Sequence, residues 1–171
     1  MAGEADVGVL EELTISGLGV IEAASARFHP GFTVLTGETG AGKTMIVTSL
    51  HLLSGARADA NRVRNGSPKA VVEGRFRLPG QGSAAAGTQT SGIQQDSVVA
   101  EILESTGAEL DDDDTVIAVR TVGADGRSRA HLGGRSVPVG VMGRLTNAVL
   151  AIHGQNDQLR LLRPEHQRAA L

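Results

Sequence analysis

The sequence predicts an α/β domain, because three patterns of different period follow one another along the chain. The first is an extended apolar segment at residues 32–36 that leads through a glycine-rich loop into a helical pattern at residues 45–53. The second is strict alternation of apolar and polar residues over 70–78, typical of a half-buried antiparallel strand. The third is a helical spacing of apolar residues that starts at Pro138.

The loop between the extended and helical segments matches the complete pattern G-x-x-x-x-G-K-[ST], which binds nucleotide phosphates. Its residues are Gly37, Glu38, Thr39, Gly40, Ala41, Gly42, Lys43 and Thr44. Glycines let the backbone bring N–H groups against phosphate oxygens, and the following helix points its positive end at them. Lys43 is predicted to reach the β- and γ-phosphates of ATP as a catalytic cation, and the Thr44 hydroxyl to bind Mg²⁺.

The composition is that of an ordinary globular domain, with 171 residues of which 40% are hydrophobic and 20% charged. No apolar run is long enough to cross a membrane, and the acidic start lacks the features of a signal peptide, so a cytoplasmic location is expected. The absence of cysteine excludes disulfides and thiolate metal sites. A formal charge of −3 without Trp or Tyr predicts that any DNA contact depends on a local patch.

The remaining strands are predicted from alternation and from the turn residues between them. A hairpin is expected from residues 10–15 and 20–28 around a turn at 17–19, and a second from 115–122 and 128–132. A buried strand is also expected at residues 149–152. Two short helices are predicted, one over residues 97–105 and one from Pro138.

Three segments have little to bury and are predicted to lie outside the packed structure. Residues 1–9 are expected to form a mobile tail, and residues 79–95 a flexible insertion. The acidic run at 111–114 is more typical of a solvated loop than of a metal site. No apolar run ends in the carboxylate pair that would complete a Mg²⁺ site, so the nucleotide site is expected to be half built.

Several motifs resemble the amino-terminal part of the RecN family of bacterial DNA repair proteins, an SMC-like group of ABC-type ATPases. The resemblance spans residues 10–171 and fails only at 79–95. Besides the phosphate loop, its motifs are LTIS at 13–16, SGARAD at 54–59, VRNG at 63–66, GRSRA at 126–130, IHGQ at 152–155 and RPEHQ at 163–167.

This resemblance implies that residues 10–162 form the amino-terminal lobe of an ABC-type P-loop NTPase head, with an antiparallel β subdomain and a core sheet that carries the phosphate loop. In that family a long coiled coil, expected to begin at 163–171, separates this lobe from a carboxy-terminal lobe. The second lobe supplies the signature motif and the acidic Mg²⁺-binding strand. The LGGR sequence at 132–135 only mimics that signature. It precedes Gln155, whereas in ABC-type proteins the signature motif follows the segment called the glutamine loop, to which Gln155 corresponds.

The resemblance further implies a homodimer of heads with ATP held between them, acting on DNA double-strand breaks in the bacterial nucleoid. The isolated chain is expected to hydrolyse ATP very weakly or not at all, and to bind DNA weakly or not at all. Gln155 corresponds to the glutamine loop, where its amide would ligate Mg²⁺ and orient the attacking water. Arg57 and Arg64 lie in a basic loop and either contact phosphate or form plain surface; Arg64 is included among the predicted nucleotide-binding residues.

Two other functions fit the residues. One is a different phosphate-loop enzyme such as a small kinase. Against it, the sequence has no Arg- or Lys-rich lid segment and no apolar strand that ends in a second Mg²⁺-binding carboxylate. The other is an interaction module that binds nucleotide without hydrolysing it. Turnover on a small acceptor would favour the first, and nucleotide binding without turnover in the complete protein would favour the second.

Overall fold

The computed structural model describes residues 9–29, 33–34, 41–78, 90–111 and 113–150, and of residues 41 and 90–96 it describes the backbone only. The strands are β1 (Val9–Leu18), β2 (Ile21–Arg27), β3 (Lys69–Arg77), β4 (Thr115–Gly123), β5 (Ser128–Leu132) and β6 (Arg135–Val137). The helices are α1 (Ala41–Leu53), α2 (Thr90–Thr106) and α3 (Val139–Val149), and a 3₁₀ turn spans Ala60–Arg62.

The strands form one six-stranded sheet in the order β2-β1-β3-β4-β5-β6, and every neighbouring pair is antiparallel. The predicted α/β class and the predicted antiparallel β subdomain are therefore confirmed. The alternation predicted for 70–78 is also confirmed, because Ala70, Val72, Gly74, Phe76 and Leu78 are buried, while the residues between them are more exposed.

The three helices cover one face of the sheet and leave the other face open, so the described part of the chain has two layers. The core lies between the layers and is built from residues of both. The largest fully buried side chains include Phe76, Leu13, Ile15, Leu18, Leu53, Ile102, Leu132, Met142 and Leu145.

Helix α1 ends in a glycine cap at Gly55, and a glycine directly after a helical apolar pattern is typical of a helix C-terminus. Gly55 has a φ of 89°, a left-handed conformation that costs glycine nothing. Its N–H donates to the Leu52 carbonyl at 3.2 Å, and the Ala56 N–H donates to the His51 carbonyl at 2.9 Å. This pair of bonds is the Schellman arrangement, which satisfies two of the carbonyls left open at a helix end.

Both predicted hairpins are confirmed, but the first turn lies further along the chain than predicted. Leu18 pairs with Ile21, so the loop of the hairpin consists of Gly19 and Val20. Gly19 has a φ of 56°, which suits the first position of a two-residue hairpin turn. The sequence contains two glycines in this region, and composition alone did not decide which of them turns the chain.

Two helices differ from their predicted limits. Helix α2 begins at Thr90 and not at residue 97, so residues 90–95 of the predicted insertion are helical. That first part lacks apolar periodicity, and extending a helix that is already nucleated costs little. Helix α3 includes Val149, and the Leu150 N–H bonds to the Thr146 carbonyl at 2.7 Å, so the strand predicted over 149–152 is wrong for its first two residues.

The remaining predicted segments are described only in part. Val9 belongs to β1 and not to the predicted tail. The other tail residues, 1–8, lie outside the described residues. So do residues 79–89 of the predicted insertion and residues 151–171. Of the strand predicted at 32–36, Thr33 and Val34 are described, and neither is in a strand. A strand requires a hydrogen-bonded neighbour, and the described sheet provides none for these two residues.

Arg120 is a charged residue within the core, and the sequence analysis did not identify it. It lies on the helix-covered face of β4 and is only 3% exposed. Its Nη2 donates to Ser128 Oγ at 3.1 Å, while its Nε and Nη1 are buried without a hydrogen-bond partner. Burial lowers the pKa of this guanidinium from its ordinary value, because desolvation penalises the charged form.

Replacing Arg120 with methionine is expected to stabilise the fold by about 1 kcal/mol, because it removes an unpaired buried charge and keeps an unbranched side chain of similar length. The measurement is the urea midpoint of the purified protein with and without the substitution. A loss of stability of similar size would show that the guanidinium has acceptors that offset its desolvation.

Candidate phosphate-binding site

The start of α1 lies within the predicted phosphate loop. The helix begins at Ala41, so Gly42, Lys43 and Thr44 occupy its first turn, where backbone N–H groups have no partner inside the helix. All three residues are exposed, and this turn contains no acidic residue. A Cβ added at Gly42 would meet no atom within 4 Å. This end of the helix is therefore open to a ligand and favours an anion.

The opposite side of α1 fixes the helix on the sheet. Leu52 and Leu53 are buried in the core, and Ser49 is fully buried with its hydroxyl donating to the Met45 carbonyl at 2.7 Å. The Met45 side chain also lies against the β1–β2 turn, since a Cβ added at Gly19 would come within 2.5 Å of its sulfur. The exposed first turn thus belongs to a helix held by packing along its buried side.

The basic loop after α1 folds back beside the helix. Asp59 caps the 3₁₀ turn by accepting from the Asn61 N–H at 3.0 Å. Arg62 Nη1 donates to Thr48 Oγ1 at 3.0 Å. Thr48 follows Thr44 by four residues, so the two lie on one side of α1, one turn apart. The sequence analysis did not single out Arg62, because only the fold brings this loop back to α1.

Arg64, a predicted nucleotide contact, lies at the β1–β2 hairpin. Its Nη1 donates to the Val20 carbonyl at 2.9 Å, and its Nη2 lies 3.5 Å from a carboxylate oxygen of Glu22. Its backbone N–H also donates to the Gly17 carbonyl at 2.8 Å. These contacts give the side chain a structural partner, while Arg57 is exposed. A nucleotide contact by Arg64 stays a prediction.

Several predicted site residues lie outside the described residues, namely Gly37, Glu38, Thr39, Gly40 and Gln155. The LGGR sequence forms the turn between β5 and β6, where Gly133 and Gly134 have positive φ angles of 50° and 75°. Asp111 of the acidic run pairs with Arg75 at 2.9 Å. In the described part of the chain, no group of three or more potential metal ligands is found.

The described residues fit the phosphates of a nucleotide and a bound Mg²⁺. The first turn of α1 offers N–H groups that have no partner within the helix, an ammonium and a hydroxyl, and no carboxylate in that turn opposes an anion. Among the described residues, no cluster of potential metal ligands accompanies this turn. The geometry therefore supplies one side of a nucleotide site.

Comparison with known proteins gives relatives along almost the whole chain. The AAA domain family matches residues 12–123. The DNA repair protein RecN of Mycobacterium tuberculosis strain H37Rv is 55% identical over 163 residues, which are 95% of this chain and 26% of the relative. RecN of Streptomyces coelicolor is 54% identical over 159 residues, or 93% and 25% of the two chains. The resemblance predicted from the motifs is confirmed, and the chain spans about a quarter of the length of these curated relatives.

Solved structures with a similar fold include an Smc head domain and the recombination mediator RecF. An Smc head domain from Pyrococcus furiosus, bound to the C-terminal domain of ScpA, has a TM-score of 0.64 and 20% identity, covering 92% of this chain and 39% of the other. The recombination mediator RecF with ATP has a TM-score of 0.60 and 13% identity, covering 96% and 38%. These likenesses confirm the predicted fold of an ABC-type head lobe. In the described residues, none of the helices is long and apolar enough to span a membrane.

Proposed function

Because the chain belongs to the AAA domain family, we propose that it forms the amino-terminal lobe of the ATP-hydrolysing head of a RecN-type DNA repair protein. The full-length protein is the larger protein that contains this lobe. The observation that carries the proposal is the exposed, anion-compatible first turn of α1, which places Gly42, Lys43 and Thr44 together at a helix N-terminus.

Each residue of this turn has a chemical role in the proposal. The N–H groups of the turn and of the preceding loop, residues 37–40, donate to phosphate oxygens. The Lys43 ammonium neutralises charge on the β- and γ-phosphates, and the Thr44 hydroxyl offers an oxygen to Mg²⁺. When bound, Mg²⁺ supplies charge stabilisation for phosphoryl transfer. We assign Gln155 to this site as the group that orients water.

The proposal requires a second lobe, and two exposed apolar residues support that requirement. Val34 is 60% exposed just before the phosphate loop, and Val47 is 47% exposed on α1. Residues 33 and 34 also have no strand partner among the described residues. A carboxy-terminal lobe would cover these residues and add the missing acidic group. The isolated chain is therefore proposed to bind ATP weakly and to hydrolyse almost none.

The whole protein is proposed to act as an SMC-like homodimer in the bacterial cytoplasm, associated with the nucleoid. Two heads hold ATP between them, and binding and hydrolysis change how coiled coils that begin near residues 163–171 engage broken DNA. Support comes from the identity with RecN proteins, which are named as DNA repair proteins, and from the likeness to Smc heads. The nucleotide is proposed to be ATP because the matching RecF structure is described with ATP.

Calorimetric titration of the full-length protein with ATP, with Mg²⁺ or with excess chelator, tests the proposal. Saturable uptake that depends on Mg²⁺, together with phosphate release, is expected. ATP binding without turnover in the full-length protein would favour a non-catalytic interaction module, and transfer of the γ-phosphate to a small acceptor would favour a kinase. Absence of any ATP binding would show that the phosphate loop does not form a nucleotide site.

Substituting Gln155 with alanine is expected to slow ATP hydrolysis by about tenfold or more while changing the Kd for ATP little, because an oriented water matters mainly in the transition state. Single-turnover hydrolysis and equilibrium ATP binding in the full-length protein measure the two effects. Gln158→Ala is the matched control, since it removes a neighbouring amide from outside the glutamine-loop motif. Equal turnover in both variants would remove Gln155 from the site.

A further inference from the structure

The open face of the sheet has a groove at one end of β3, β4 and β5. The groove has a volume of about 630 Å³, and the residues lining it include Lys69, Thr121, Arg127, Arg129 and His131. It lies on the face that the three helices leave uncovered, whereas α1 and the phosphate site lie on the covered side. The groove is therefore separate from the proposed nucleotide site.

The strand register places the cations of the groove side by side. Thr121 of β4 lies opposite both Val71 of β3 and Arg129 of β5, so these side chains stand on one face. Lys69 precedes Val71 by two residues, which puts it on the same face. Alternation along β5 keeps Arg129 and His131 on this face, while the intervening Ala130 is buried in the core, and Arg127, directly before β5, also lines the groove.

Two cations of the groove have no carboxylate partner among the described residues. Eight ion pairs occur among the described residues, and each uses one arginine. Lys69 and Arg129 are both exposed, and neither takes part in any of these pairs. The carboxylate within the groove, Asp125, lies 3.6 Å from Arg127 Nε. Glu73 is another carboxylate on this face. It lies on β3 opposite Val119 of β4, while His131 lies on β5, two strands away from it.

We propose that this groove, the β3–β5 groove, binds the phosphate backbone of duplex DNA. The inference rests on the proposed DNA repair function and adds the surface on which the duplex lies. Exposed cations on two different strands, Lys69 on β3 and Arg129 on β5, offer separate contacts to a chain of phosphates, whereas a small anion would need a closed pocket of converging donors. Contacts to phosphates carry no sequence information, so binding is expected to be independent of sequence.

The double substitution Lys69→Glu and Arg129→Glu in the full-length protein tests the groove. Binding of two fluorescent duplexes of unrelated sequence is measured by anisotropy over a range of salt concentrations. The affinity for both is expected to fall about tenfold, and the slope of log K against log salt to decrease by about 2, because two phosphate contacts are lost. ATP binding in the absence of DNA is expected to be unchanged.

Arg144→Glu is the control for charge and is compared with the single substitution Arg129→Glu, because each reverses one cation. Arg144 is 55% exposed on α3, which covers the opposite face, so its reversal changes net charge without touching the groove. Arg129→Gln is a milder variant that removes the charge but keeps a polar side chain, and circular dichroism checks that each variant is folded. An equal loss of DNA affinity in the Arg144 variant would overturn the proposal, since it would reduce the effect to net charge.

Three further outcomes separate the possible failures. If low concentrations of inorganic pyrophosphate displace the duplex from the intact groove, the site takes small polyphosphates and the proposal is wrong. If the groove variants keep full DNA affinity while Lys43→Ala abolishes ATP turnover, the groove is wrong and the proposed function stands. If the groove variants lose DNA while the full-length protein binds no ATP, the proposed function fails and the groove stands.

Discussion

Replacing Lys43 with alanine is expected to abolish ATP turnover by the full-length protein, with a fall in kcat of at least about a hundredfold. Lys43 is exposed in the first turn of α1, where the helix N–H groups also point outward. Its ammonium is the side-chain cation of the phosphate-loop motif, and charge that develops on the γ-phosphate in the transition state would lose that partner. Phosphate release at saturating ATP and Mg²⁺ is the measurement.

The control for this substitution is Arg144→Ala, which removes an exposed cation from α3. It is expected to leave turnover unchanged, and both variants are expected to keep the thermal midpoint of the unmodified protein in the absence of ATP. Near-normal hydrolysis by the Lys43 variant would contradict the role assigned to its ammonium, whatever the outcome for DNA binding.

Replacing Gly143 with alanine is expected to destabilise the contact between α1 and α3 by about 1–3 kcal/mol. A Cβ at this position would lie 2.8 Å from the Ser54 carbonyl oxygen and 3.2 Å from the Gly55 Cα. Both are backbone atoms of the cap that ends α1, so neither can move away as a side chain would. The two helices would have to separate, which disturbs the buried side of α1.

Gly140→Ala is the matched control in the same helix. A Cβ there would meet nothing within 4 Å, so alanine is expected to stabilise α3 by about 0.5 kcal/mol through its better helix propensity. Hydrogen exchange of α1 and α3 amides in increasing urea measures both variants. Effects of the same sign at the two positions would contradict the steric argument.

Local pattern was sufficient to predict most of the sheet. The alternation over β3 identifies its buried face, and the glycine-bounded segments around β4 and β5 identify their hairpin. Local pattern failed where apolar periodicity was absent or ambiguous. The first turns of α2 carry almost no apolar spacing, and the residues at the end of α3 are as suitable for a strand as for a helix.

For the candidate site, the phosphate-loop motif directly identified Gly42, Lys43 and Thr44, because the chemistry of that motif lies in consecutive residues. Arg62 could not be identified in this way, since its contact with Thr48 depends on the loop folding back onto α1. The same holds for Arg120, whose burial depends on which face of β4 the helices cover.

The amino-acid sequence by itself determined the phosphate-loop motif, the alternation of the strands and the capping glycine of α1, since each depends on residues a few positions apart. Only the tertiary structure decided which strands are neighbours and how the helices pack on them, and with this the burial of Arg120 and the gathering of Lys69 and Arg129 in the β3–β5 groove. The physical reason is that strand register and layer packing join residues that are distant in the chain, so a side chain's solvent exposure and charge partners are properties of the assembled fold.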